Sequence, residues 1–219
     1  MRRLIALAQR KGGVGKTTLA ISLAAELSRR GVDVAVVDSD PQRSAWAWAQ
    51  PGGLRFPVHP IPFGKDAVSA WAGAVRAVRA DTVIIDTPPD ERAVGASVAI
   101  SSLLISPCTP SGLDLDSTDQ TLAIVAAVRA RRAADLDVLL VPNRVDSRTL
   151  EGRQLIDELR SLGEVVSGPV GDRSAFVRAF AQGCSVAELA PGGPADLEIK
   201  ALVSLLTISL WRSEVIQSH

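Results

Sequence analysis

The segment Lys11-Gly12-Gly13-Val14-Gly15-Lys16-Thr17-Thr18 stands between a short apolar run, Leu4 to Ala8, and a stretch from Thr18 to Arg30 in which Leu19, Leu23 and Leu27 fall on one helical face. Few folds accommodate that order. It asks for a buried strand whose end turns through glycines directly into a helix. The backbone N–H groups of such a loop, helped by the positive end of the helix, cradle phosphates. Lys16 is then expected to reach the β and γ phosphates, and the Thr17 hydroxyl to ligate Mg²⁺. The usual loop of this kind opens on a glycine where this chain has Arg10, and Lys11 follows. The loop therefore carries a second lysine.

Beyond it, apolar runs and helical patterns alternate. Strands are expected at Val32 to Val37, Val58 to Pro62, Thr82 to Asp86, Leu103 to Ser106, Val138 to Val141 and Val165-Val166. Helices are expected near 42–50, 67–78, 91–99, 117–132, 150–162, 174–181 and 195–212. Alternation of this sort predicts an α/β fold: one doubly wound, mainly parallel sheet with helices on both faces. With 219 residues, 47% of them hydrophobic, the chain has enough apolar material for that sheet, and 1–219 is expected to form a single domain. Charge is balanced at 24 basic and 24 acidic residues, so a nucleic-acid site would have to be a local patch. The first strand begins almost at once and no run is long enough to span a bilayer, which predicts a cytoplasmic protein. Cys108 and Cys184 are too isolated for a disulfide framework or a metal quartet.

Two further strands end in carboxylates: Val37-Asp38-Ser39-Asp40-Pro41-Gln42 and Ile84-Ile85-Asp86-Thr87-Pro88-Pro89. Parallel sheets bind ligands at these strand ends. A nucleotide hydrolase needs a metal to neutralise phosphate charge and a group to orient water. Thr17 and Asp86 are the metal candidates, Asp86 through water, with Asp38 nearer the metal shell, and Asp40 is the candidate for water positioning. A helix cap or a turn is the plainer alternative for each acid.

These three segments resemble the ParA/MinD family of deviant Walker-type ATPases, and Asp38-x-Asp40-Pro41-Gln42 is similar to its small, ParF-like ParA branch. The resemblance implies ATP and Mg²⁺ as cofactors, and a homodimer formed on ATP binding, in which Lys11 reaches the partner's phosphates. Lys11, Lys16 and Asp40 would form the catalytic set. Gly12, Gly13, Val14, Gly15, Thr17 and Thr18 would complete the phosphate loop, and Asn143 would contact adenine unless it is merely a turn former. Thr87-Pro88-Pro89-Asp90 is similar to the family's second switch, or is simply a rigid loop.

The ParA branch also implies non-specific DNA binding by the dimer, nucleoid association, and a ParB-like or cargo-adaptor protein that stimulates slow hydrolysis. Arg173 and Arg178 are the first candidates for DNA contacts. Arg129, Arg131, Arg132, Arg144, Arg148 and Arg153 follow, against the alternative of a salt-bridged surface. The MinD branch would instead attach to a membrane through a basic amphipathic terminal helix. Here Leu202 to Arg212 is apolar but lacks clustered cations, so it is expected to pack on the core. A metal-cluster ATPase would need Cys108 or Cys184 at a dimer axis, whereas ordinary reduced thiols are expected.

Overall fold

The computed structural model describes residues 2–110 and 112–207. Seven strands form one sheet: β1 (Arg3–Leu7), β2 (Val34–Asp38), β3 (Val58–Pro60), β4 (Thr82–Asp86), β5 (Leu103–Cys108), β6 (Asp137–Pro142) and β7 (Val165–Val166). Every pairing is parallel, and the order across the sheet is β3-β2-β4-β1-β5-β6-β7. The chain winds outward from β1 to one side, returns, and then builds the other side. That reversal leaves a crevice at the strands' C-terminal ends, where the glycine loop and both carboxylate-bearing turns emerge.

Strand residues are buried on both faces, which is why they read as unbroken apolar runs. Ile5, Leu7, Val34, Val36, Ile84, Ile105 and Leu139 point to one layer. That layer contains α1 (Lys16–Arg29), α2 (Ser44–Ala49), α7 (Ser174–Gln182), α8 (Val186–Leu189) and α9 (Pro194–Leu205). The alternate residues Ala6, Val83, Ile85, Leu104, Val138 and Leu140 face the other, built from α3 (Val68–Ala77), α4 (Glu91–Ile100), α5 (Gly112–Arg129) and α6 (Leu150–Ser161). The expected doubly wound architecture is thus present, with a wholly parallel sheet.

Several elements differ from their expected spans. α5 begins at Gly112, ahead of the expected 117, and ends at Arg129. β5 runs through Pro107 to Cys108, pairing with β6 to its end. The four-residue α8 was not expected; it is fixed by a capping box in which Ser185 and Glu188 satisfy each other's backbone N–H. For the expected terminal helix, α9 spans Pro194–Leu205, and the part beyond Thr207 lies outside the described residues. Ala195, Ile199, Leu202, Val203 and Leu206 bury its inner face on the core. Among the described residues, no helix is long and apolar enough to cross a membrane.

Candidate nucleotide site

The loop lifts off β1 after two buried residues, Ala8 and Gln9, and enters α1 through Gly15. Gly13 and Gly15 have φ of 76° and 94°, a left-handed conformation that side chains resist. Gly15 has a second reason to lack a side chain. A Cβ there would lie 2.3 Å from Asn143 Nδ2. That amide donates instead to the Val14 carbonyl at 2.7 Å, bracing the loop from the end of β6. No side chain caps the N-terminus of α1, so its first-turn N–H groups remain available to an anion. Lys16 is buried, and its Nζ folds back to donate to the carbonyls of Lys11 at 2.9 Å and Gln9 at 3.2 Å. Burial lowers its pKa, opposed by attraction to Asp86 and Asp40.

Asp38 and Asp86 are register partners on adjacent strands. Asp86 is only 1% exposed, and desolvation pushes its pKa up to about 7. The Thr17 hydroxyl, donating to it at 2.6 Å, and Lys16 favour the charged form, while Asp38 and Asp40 oppose it. A desolvated carboxylate beside a hydroxyl, on the wall of a cleft, is a donor set that suits a hard cation. Thr17 and Asp86 therefore fit Mg²⁺.

The Asp38 Oδ1 accepts from the Asp40 N–H at 3.1 Å and its Oδ2 from the Trp46 N–H at 2.8 Å. Both oxygens shape the turn into α2, and Asp38 stands beside Asp86 on the neighbouring strand without itself lining the cleft. Asp40 does line the cleft, and its Oδ1 accepts from the Gln42 N–H at 2.9 Å.

The cleft has a volume of about 520 Å³. Gly12, Gly13, Gly15, Lys16, Thr17 and Thr18 form its floor, with Asp40 and Asp86 on one side and Asn143 and Arg144 on another. Phosphate loop, strand-end acids and cation-suited pair thus share one space. A family model described as the CobQ/CobB/MinD/ParA nucleotide binding domain matches residues 5–186. The chain belongs to this family.

Within the family, the chromosome-partitioning ATPase Soj of Thermus thermophilus is 34% identical, over 88% of this chain and 90% of its own. Maintenance of carboxysome distribution protein A of Halothiobacillus neapolitanus is 28% identical, over 86% of this chain and 88% of its own. Among solved structures, apo McdA from Cyanothece superposes with a TM-score of 0.80 at 18% identity, covering 94% of this chain and 100% of that one. MinD of Aquifex aeolicus superposes at 0.75 and 17% identity, covering 94% and 96%. At such identities the structural likeness is one of fold.

One further wall of the cleft of this ParA/MinD-family protein is aromatic, and the sequence did not announce it. Trp48 of α2 meets Phe180 of α7 edge to face, 5.2 Å between centroids, with Phe176 and Val177 beside them. The Trp48 indole N–H donates to the Cys184 carbonyl at 3.0 Å. Behind this pair the backbones touch: a Cβ on Gly53 would fall 2.6 Å from the Gly183 carbonyl, and one on Gly183 would overlap Pro51. The two sides of this wall lie well over a hundred residues apart in the sequence.

The arginines sort by what they touch. Arg173 is exposed at the cleft rim and pairs with Glu198 at 2.6 Å. Arg148 is exposed but forks onto Asp146 at 2.9 and 2.8 Å, holding that carboxyl down at about 2. Arg129 donates to the Leu136 carbonyl and pairs with Glu164, while Arg132 donates to the Ser101 carbonyl at the end of α4. Arg178 is exposed and pairs with no carboxylate among the described residues. Arg144 stands at φ 55° on the cleft rim. Cys108 is fully buried, 3.3 Å from Thr118 Oγ1, which removes it from any shared surface cluster. Among the described residues, no group of His, Cys, Asp and Glu is arranged to hold a metal by itself.

Proposed function

We propose that this protein is a ParA-type partition or positioning ATPase. It binds MgATP in the cleft, dimerises on ATP, holds DNA without sequence preference as a dimer, and releases it after hydrolysis stimulated by a partner protein. Loop N–H groups and Lys16 hold the phosphates; Thr17, with Asp86 through water, holds the cation, which neutralises phosphate charge. Asp40 orients the attacking water. Asn143 braces the loop beneath the nucleotide.

The observation that carries this reading is the convergence, in one cleft of a ParA/MinD-family chain, of the phosphate loop with Lys16, the Thr17–Asp86 pair and Asp40. Lys11, at the head of the same loop, is assigned to a nucleotide presented by a second copy. There it would stabilise developing phosphate charge and make association depend on ATP. The relatives named for chromosome partitioning and carboxysome distribution support a positioning role.

Co-sedimentation with DNA in ATP, ADP or no nucleotide, across a salt series, tests the reading. ATP-specific binding that weakens steeply with salt is expected. Binding indifferent to nucleotide and salt refutes it. Lys11→Ala should bind ATP yet remain monomeric in gel filtration; ATP-dependent dimers of that variant would rule out the trans lysine.

A further inference from the structure

Gln9 is fully buried at the point where the chain leaves β1, and every polar atom of its side chain is engaged. Its Oε1 accepts from the Arg10 N–H at 2.8 Å and from the Thr121 hydroxyl at 2.7 Å, and its Nε2 donates to Thr118 Oγ1 at 3.1 Å. Both threonines are buried residues of α5. The Gln9 carbonyl, meanwhile, accepts from Lys16 Nζ at 3.2 Å. A buried amide is costly unless paired. These pairings converge on one peptide unit, Gln9-Arg10, which both holds Lys16 and launches the chain into Lys11.

We propose that Gln9 is a positioning residue for phosphate binding: clamped by Thr118 and Thr121, it fixes the Gln9-Arg10 peptide, and so sets where Lys16 Nζ sits and how Lys11 leaves the sheet. The inference rests on the cleft being a MgATP site. It makes α5 a structural reference for the loop. Thr121 also lies 2.8 Å from the Ser117 carbonyl, so its hydroxyl retains an acceptor when Gln9 is replaced.

The test is titration of the full chain with a fluorescent ATP analogue and Mg²⁺, beside urea unfolding, for wild type, Gln9→Leu, Thr121→Val, Thr121→Ser and the Gln9→Leu/Thr121→Val pair. Loss of the side-chain clamp on the Gln9-Arg10 peptide should weaken nucleotide binding about ten-fold in Gln9→Leu and about three-fold in Thr121→Val. Thr121→Ser should restore wild-type affinity, and the double variant should be no worse than Gln9→Leu, since both act through one peptide. Affinity changes that follow unfolding midpoints alone, additive losses, or a serine variant as weak as the valine one would overturn the proposal. If Gln9→Leu does not fold, the Thr121 pair decides alone. A wild-type protein that binds no nucleotide would defeat the ATP-site reading itself; wild-type binding with unaltered variants would defeat only the role of Gln9.

Discussion

Asp86→Asn should make the nucleotide-free protein more stable at neutral pH while removing its response to Mg²⁺. The carboxyl is pushed from 3.8 to about 7 chiefly by burial, so at pH 8 the folded chain carries an ionised group at a cost of about 4 kcal/mol. The direction follows from linkage. Below about pH 4 Asp86 is protonated whether folded or unfolded, and no cost exists. As pH rises, the unfolded state ionises first and stability falls until about pH 7, beyond which the loss is constant. The amide cannot ionise and still accepts from Thr17. Urea midpoints of both proteins from about pH 5 to about pH 8, without metal or nucleotide, should therefore diverge by about 1.4 kcal/mol per pH unit and then run parallel above about pH 7. Groups remote from Asp86 affect both proteins alike and cancel in the difference, whereas Asp38, Asp40 and Lys16 interact with it directly. With MgATP present the order should invert, because only the wild type gains the cation's stabilisation. A pH-independent difference between the two proteins would refute the reasoning.

Gly15→Ala forces a side chain into a left-handed backbone and against Asn143; a strain cost of about 1–3 kcal/mol and loss of nucleotide binding are expected, read by thermal melting and analogue titration. Trp48→Phe keeps a ring against Phe180 but removes the donor to Cys184, and should lower stability by about 1 kcal/mol in urea. Arg178→Ala should reduce the salt slope of DNA binding by about one, whereas Arg148→Ala, whose guanidinium is already engaged by Asp146, should change it little. Asp40→Ala should form ATP-dependent dimers that do not turn over, measured by gel filtration and phosphate release.

The sheet was legible because strands buried on both faces leave unbroken apolar runs, and β4 matches its expected span from Thr82 to Asp86. The loop was legible because its chemistry is local: the glycines, Lys16 and Thr17 are consecutive. Roles that depend on orientation were not. Asp38 and Asp40 lie two residues apart in one motif, yet one turns inward to backbone N–H groups while the other lines the cleft. The ion pair of Arg173 was not legible because its partner, Glu198, is supplied by the distant α9. Gln9 gave no signal, since a single glutamine beside a motif acquires meaning only when α5 folds against it.

The contact between Gly53 and Gly183, with Trp48 wedged against Phe180, has a mechanical consequence. The loop that follows α2 and the C-terminal end of α7 meet backbone to backbone, although well over a hundred residues separate them in sequence. A side chain at either glycine would therefore force the two apart and pry open the aromatic side of the cleft.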